Sequence, residues 1–514
     1  MREYLADMTR TYLTKSRYID GLRCEKKLWL GCHQRLSYEK ALPFSVLDTG
    51  HRIGCGARAL FPGGVEVTEK PFEHRAAVSR TAELMAENTA AIFEGAFEFQ
   101  NIRIRVDILE RLENGWGLRE VKSSASASEE KGHVDDVAVQ LYVLKGVGID
   151  ITSVELIHVN AEYCLDDNGI VWSEMLCRRN LTAEAMDRLA QVGNIVLQMF
   201  EVVERDEAPT VYATKSLCNN PYRCDYFDHC MGEKPDDWTG FLYRIHPNRL
   251  AALRAQGIES IPDIPEDFNL PEKQALALNC LASGELWVSD DLADVLSPLG
   301  PPAYYMDFET MAPGIPVYPG TRPYEKVPFQ FSVHAIDVDG VLTHNAYLAE
   351  GVLHPGRAFA EALIAAIDHK NLPVVVYNKS FELGVLNTLC EMFTDLAEDL
   401  GGIMNNVVDL LPVVRDHICH PGFVTRRSLD AGTYSIKNVL PVLVPSMSYA
   451  DLNGVTEGAE ASRVFTGIVH GVYAGHAADD YRQQLLDYCA QDTLAMVEIQ
   501  KALRALSHDR TMSA

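Results

Sequence analysis

The stretch Ala303-Tyr-Tyr-Met-Asp307-Phe-Glu309-Thr310 reads as an apolar strand that carries two acids on one face. Side chains two apart on a strand leave the same side of it, so Asp307 and Glu309 stand together. Two carboxylates so placed repel unless a cation lies between them. A lone Asp-x-Glu also fits a strand end at the solvent, so its meaning depends on the segments downstream. A second strand is predicted at 329–336 (FQFSVHAI), a helix at Arg357–Ile367, a strand at 373–377 (PVVVY), a helix at Glu382–Phe393 and a late helix at Asp479–Ala505. Strands first, with helices interleaved, predict a mixed sheet with flanking helices. Within that order, Asn378-Lys-Ser-Phe381-Glu382-Leu383 places a third carboxylate at a helix start. Tyr488-Cys-Ala-Gln-Asp492 places a phenol and a fourth carboxylate at i and i+4, one above the other on a helix face.

These three segments resemble the exonuclease motifs of DnaQ-like (DEDD, RNase H-like) 3′→5′ exonucleases with a tyrosine in the third motif, and the resemblance covers residues 299–506. It implies that Asp307, Glu309, Glu382 and Asp492 hold two Mg²⁺ or Mn²⁺ ions roughly 3.5–4 Å apart, with Tyr488 orienting the attacking water. The family's second motif ordinarily supplies Asp where this chain has Glu382. The longer side chain still reaches a metal, and Asp409 in Asn406-Val-Val-Asp409-Leu is its rival. The segments Tyr318–Ser332 and Tyr434–Pro441 resemble hallmarks of an uncharacterised bacterial family that joins this domain to a RecB-like one. Aromatics there, with Arg322, Lys326 and Lys437, fit stacking on a terminal base and holding phosphate as substrate-binding residues. Turn packing accounts for the same residues equally well.

Towards the N-terminus, residues 1–60 read as helical, and residues 97–123 alternate as two strands of a hairpin joined at Glu113-Asn114-Gly115. A helix at Asp135–Leu144, a strand at Ser153–Val159 and a long helix at Ala183–Val203 come next. The pattern is that of an α/β domain. Asp107 lies on the first hairpin strand, and Glu120-Val-Lys122 on the second puts a carboxylate and an ammonium on one face. With the trailing Gln140 in Asp135-Asp-Val-Ala-Val-Gln140-Leu-Tyr142, the set resembles the PD-(D/E)xK core of RecB-like nucleases. On that resemblance Asp107 and Glu120 bind metal, Lys122 stabilises developing charge and Gln140 braces the site. His51 is the candidate for the family's upstream histidine, or else an ordinary surface histidine.

Cys24 near the start, and Cys218, Cys224 and Cys230 after the core, resemble the one-plus-three cysteines that hold a [4Fe–4S] cluster in RecB-like nucleases. The two gaps of five residues are wider than that pattern. Zinc, which normally shows a close cysteine pair, and unligated thiols are the other readings. The remaining cysteines have no such spacing.

Composition sets bounds on these readings. The 514 residues exceed one core, and a polar stretch at 231–239 suggests a boundary. The resulting division is 1–235 RecB-like domain, 236–298 helical connector and 299–506 exonuclease domain. In the connector, residues 253–264 resemble a helix-hairpin-helix, or else a helical linker with its own small core. The net charge of −26 excludes a simple nucleic-acid coat. Residues 1–240 carry 28 Lys and Arg against 38 Asp and Glu, and residues 241–514 carry 18 against 34. Polynucleotide must therefore be held by local patches and by cations on carboxylates, and the basic stretch is Lys15, Arg17, Arg23, Lys26 and Lys27. No apolar run is long enough for a membrane helix and no signal core opens the chain, so a cytoplasmic protein with reduced thiols and no membrane partner is expected. The expected activity is metal-dependent phosphodiester hydrolysis on DNA, in company with a helicase or a repair or defence complex. The alternatives are an RNA-processing exonuclease, and a nucleic-acid-binding or assembly protein with one or both sites inactive.

Overall fold

The computed structural model describes residues 12–34, 42–126, 131–368, 371–426, 428 and 432–513, without the side chains of 509–513. The expected helix over 1–60 therefore lies outside the described residues at 1–11 and 35–41. The chain is mixed α/β and divides into two compact units, one made of 1–231 with 313–324 and the other of 232–312 with 325–514.

In the N-terminal unit β1 (Leu13–Thr14) leads into α1 (Lys15–Arg23), whose first turn is capped by the Thr14 hydroxyl accepting from Arg17 N at 3.2 Å. Helices α2 (Glu25–His33) and α3 (Val46–Arg58), strand β2 (Val65–Glu66) and helix α4 (His74–Ala86) follow. Strands β3 (Ala91–Phe99), β4 (Ile102–Leu112) and β5 (Gly115–Lys122) form a meander. Helix α5 (His133–Gly146), strands β6 (Ile151–Val159) and β7 (Leu176–Asn180), helix α6 (Thr182–Val203) and the short α7 (Lys215–Asn219) and α8 (Phe227–Gly232) complete it. Among the described residues, seven strands make one sheet in the order β2-β3-β4-β5-β6-β7, with β1 parallel to β4. The sheet is mixed, because β5 pairs antiparallel with β4 and parallel with β6. Helix α5 packs on this sheet and on α6, burying Val137, Ala138, Val139, Leu141 and Leu144. Its polar Asp136 and Gln140 are buried too, so they need partners within the protein.

The predicted two-strand reading of 97–123 differs from the structure in one place. Residues 97–99 end β3, and the chain reverses at Gln100 (φ 47°) and Asn101 (φ 60°) before β4. Two successive residues in the left-handed region make the turn whose twist suits a two-residue hairpin. Gln and Asn continue the polar–apolar alternation, which hides the turn in the sequence.

The C-terminal unit opens with α9 (Pro247–Ala255), a 3₁₀ turn at Ile261–Asp263, α10 (Glu272–Ser283) and β8 (Trp287–Val288). Leu253, Ile261 and Ile264 are buried here. Then come β9 (Ala303–Met311), β10 (Val327–Ile336), β11 (Leu342–Leu348), α11 (Gly356–Ala366), β12 (Val374–Val376) and α12 (Lys379–Met392). They are followed by β13 (Val407–Asp409), α13 (Leu410–His417), β14 (Ile418–Cys419), α14 (Ile436–Leu443), α15 (Gly458–Val469) and α16 (His476–Ser513). The described strands β9 to β13 form a sheet in the order β11-β10-β9-β12-β13, antiparallel across β10 and parallel from β9 through β12 to β13. Phe308, Phe331, Phe359 and Leu386 lie at the centre of its core. Strand β9 is central, which places Asp307 and Glu309 in the middle of the sheet. Strand β11, absent from the sequence expectations, is an edge strand with mostly exposed residues and so lacks the apolar alternation that marks a half-buried one. Among the described residues no helix is long and apolar enough to cross a membrane.

Candidate functional site

The C-terminal centre is assembled by a strand and two helices. Asp307 and Glu309 sit on β9, opposite Ser332 and Gln330 of β10. Helix α16 packs across both strands and presents Asp492, with Tyr488 one turn earlier. Among the described residues, Asp307, Glu309 and Asp492 are the group whose possible ligand atoms all lie within 4.8 Å of one another. Glu382 enters from the first turn of α12. It is buried, its Oε2 has no hydrogen-bond partner, and its charge is felt by Asp307, although its oxygens lie outside the tight trio. The rival Asp409 is engaged elsewhere, accepting from Asn378 N, Lys379 N and Leu411 N at 2.9, 3.0 and 3.0 Å across two helix starts. A carboxylate saturated by three amides is a cap.

The electrostatics of this centre are one-sided. Burial, followed by the charges of Asp492, Glu309 and Glu382, holds the Asp307 carboxyl well above the usual range. Burial and then Asp492 push Glu309 up to about 8. Burial also raises Glu382 to about 8, and it raises Asp492 to about 6 against the pull of Tyr449, Lys437 and Tyr488. Burial with like charges favours the protonated forms. A divalent cation among the same oxygens would supply the missing counter-charge, so the donor set fits hard-metal binding.

Lys437 bears on this centre too. Its Nζ donates to Thr456 O at 2.6 Å and lies 5.4 and 5.1 Å from the ring centres of Tyr449 and Tyr488. Lys326 stands 4.8 Å from the Phe381 ring centre, and Arg322 falls in 313–324, which belongs to the N-terminal unit. Two neighbours escape the sequence reading. Tyr449 donates to Asp492 Oδ1, and Cys489 Sγ lies 3.6 Å from Asp307 Oδ2. The thiol is legible as the residue after Tyr488, but Tyr449 sits in a turn with no spacing signal.

In the N-terminal unit β4, β5 and α5 bring together the predicted Asp107, Glu120, Lys122 and Gln140. Glu120 Oε1 accepts from Lys122 at 2.6 Å and Lys15 at 2.8 Å, and Oε2 accepts from Gln140 at 2.7 Å and Lys15 at 3.1 Å. Lys122 also pairs with Asp136 Oδ2 at 2.5 Å. Burial alone would raise Glu120, but Lys122 and Lys15 outweigh it and hold the carboxyl well below its usual range. Asp107 differs: its Oδ2 accepts from Val121 N at 2.8 Å, and burial with the Glu120 charge raises it to about 7. Asp107 and Lys122 line a cleft of about 450 Å³ together with His51, Arg58, Glu66 and Glu94. His51 thus lines the same cleft as Asp107. The sequence suggests a basic, phosphate-facing stretch around Lys15, yet its ammonium points inward to Glu120. Asp136 is the other partner that the sequence does not announce.

No disulfide joins the twelve cysteines, all of which are among the described residues, and Cys24, Cys218, Cys224 and Cys230 line one pocket with Arg23, Lys26 and Lys27. Burial, then Cys224, raises Cys218 to about 11, with Cys230 and Cys24 adding to it, so the Cys218 thiol senses the other three. Tetrahedral zinc with bonds of about 2.3 Å holds its sulfurs about 3.8 Å apart. These four do not form a group that tight. A polynuclear cluster spreads its thiolates wider, and the nearby cations suit its negative charge.

A family model described as a domain of unknown function (DUF2779) matches residues 304–428. That span contains Asp307, Glu309 and Glu382 and stops before Lys437, Tyr488 and Asp492. No curated protein matches the chain.

Proposed function

We propose that this chain is a divalent-metal-dependent nuclease acting on DNA, with a 3′→5′ exonuclease centre in its C-terminal unit and a RecB-like nuclease centre in its N-terminal unit. The observation that carries the reading is the convergence of Asp307, Glu309 and Asp492 within 4.8 Å, beside the buried Glu382, whose Oε2 is unpartnered. Charges this close are costly without a cation, and the residues occur in the order of the exonuclease motifs. Asp307, Glu309, Glu382 and Asp492 would hold Mg²⁺ or Mn²⁺, whose chemistry when bound is to activate water and offset charge on the leaving oxygen. Tyr488 positions the water, and Lys437 lends fixed positive charge near the phosphate. In the other unit, Asp107 faces the cleft for a cation, and Lys122 meets developing negative charge. The four cysteines would hold an iron–sulfur cluster that ties α2 to α7 and α8.

The test is cleavage of end-labelled single- and double-stranded DNA and RNA by the full chain in Mg²⁺ or Mn²⁺. Mononucleotides released from free 3′ ends of DNA are expected. Equal cutting of 3′-blocked substrate would reject the exonuclease reading, and preference for RNA would reject DNA as substrate. Lys122→Ala in an Asp307→Asn background should remove the residual cleavage. For the cysteines, anaerobically purified protein should be brown, with iron and sulfide near four per chain. Colourless protein with stoichiometric zinc would reject the cluster.

A second reading draws on Glu120. Its oxygens are taken by Lys15, Lys122 and Gln140, which favours an N-terminal unit that binds nucleic acid without cutting it. Absence of any residual cleavage in the Asp307→Asn background, with nucleic-acid binding retained, would support it.

A further inference from the structure

The segment from the end of α14 to the first residue of α15 lies outside the three motif-bearing stretches and beyond residues 304–428, yet it reaches the C-terminal centre at three points. The Tyr449 hydroxyl donates to Asp492 Oδ1, and the Thr456 carbonyl accepts from Lys437. Gly458 stands so near Glu309 that a Cβ added to it would lie 3.4 Å from Oε2. Tyr449 itself is 9% exposed. It sits in a 3₁₀ turn whose start is fixed by the Ser448 hydroxyl accepting from Ala450 N at 3.1 Å. Its ring centre lies 6.5 Å from that of Tyr488, with the Lys437 ammonium near both rings.

We propose that Tyr449 is a positioning residue of the C-terminal centre, whose phenol fixes the orientation of the Asp492 carboxylate for cation binding. The terminal torsion of an Asp side chain is broad, so a carboxylate on an exposed helix face samples many orientations. Holding Oδ1 determines where the other oxygen points. Ligands aimed in this way bind their metal more tightly, and loss of the aiming partner typically weakens affinity by about 10–100-fold. Tyr449 therefore acts through Asp492 alone, whereas Tyr488, whose side chain also bonds Asp492, acts on water in the proposed reading. The inference rests on the metal-centre reading, and it requires no particular substrate.

The experiment is calorimetric titration of Mn²⁺ into the full chain, in an Asp107→Asn background that silences the N-terminal cleft, for Tyr449→Phe and Tyr488→Phe. Tyr449→Phe keeps the ring and removes only the hydroxyl. Its Mn²⁺ affinity should fall about tenfold or more, with metal-free melting close to the parent and turnover largely recovered at saturating Mn²⁺. Tyr488→Phe should lose more turnover than affinity, with turnover down on the order of 10–10³-fold even at saturating Mn²⁺. Unchanged Mn²⁺ affinity in Tyr449→Phe overturns the proposal, as does turnover lost at saturating Mn²⁺ with affinity intact. A parent that binds Mn²⁺ but cleaves nothing defeats the nuclease reading alone, and the binding comparison still decides Tyr449. A parent that binds no Mn²⁺ overturns both.

Discussion

Glu120 in the N-terminal unit meets two ammonium groups and an amide, whereas Glu309 in the C-terminal unit meets other carboxylates. Both are buried acids on interior strands. Lys15 and Lys122 neutralise the first cluster from within the chain, and its Glu120 titrates low. The second cluster has Lys437 nearby and no direct ammonium bond, and its acids titrate high. A buried charge must be paired or neutralised, and the two units differ in means: one carries its cations covalently, and in our proposal the other draws them from solution. The same residue type is therefore paired within the chain in one unit and, in our proposal, kept for an outside cation in the other.

The largest effect expected from this contrast is on activity. Asp307→Asn should reduce 3′→5′ exonuclease turnover to background while leaving cleavage by the N-terminal unit untouched. An assay with free and blocked 3′ ends separates the two, and full retained exonuclease activity would break the comparison. Next in size is an opposed pair of stability changes. Glu120→Gln leaves two buried ammonium groups facing a neutral amide and should destabilise the N-terminal unit by about 3–5 kcal/mol. Metal-free Glu309→Gln removes a repelling charge, so denaturant unfolding should find the C-terminal unit unchanged or more stable. Equal destabilisation by both substitutions would contradict the contrast. Third, Mg²⁺ or Mn²⁺ should raise the melting of the C-terminal unit by the equivalent of about 2.7 kcal/mol at a hundredfold excess over Kd. The N-terminal unit should shift less, and chelator should reverse the change.

The smallest effect is one the units share. Burial, then Lys122, lowers His133 to about 4, and burial, then His344, lowers His334 to about 4. An imidazole kept neutral by the fold takes up a proton more readily when unfolded. The stability it contributes is complete above the ordinary value of about 6.5 and is lost as pH falls from there towards about 4. Against the opposite slope set by the raised carboxyls Asp107, Glu309 and Glu382, whose protonation favours the fold as pH falls, each histidine should add a downward slope of a few degrees in its own unit between pH 7 and 5. His334→Gln should flatten that slope in the C-terminal unit alone.

Legibility in the sequence tracks the range of the interaction. Asp307 with Glu309, and Tyr488 with Asp492, are local pairs whose geometry is set by strand and helix periodicity. The order of β9, β10, β12 and α12 is likewise readable from apolar runs. The role of Lys15 is not, because its partner Glu120 lies 105 residues away and no local pattern aims the ammonium inward. Tyr449 is invisible because a turn residue gains its role only from the helix it meets. Strand β11 and the Gln100–Asn101 turn escape for a further reason. An exposed edge and a polar two-residue reversal leave the hydrophobic periodicity almost undisturbed.

Residues 313–324 belong with the N-terminal unit although both flanks belong to the C-terminal one. The polypeptide therefore passes between the units three times, at 231–232, 312–313 and 324–325. Neither half is a contiguous stretch of gene. A recombination event or truncation that takes 299–506 alone carries away twelve residues of the other half, and one that takes 1–231 leaves them behind. The two proposed activities should accordingly be inherited together, and a natural variant missing one should show point changes at its acids in preference to a deletion.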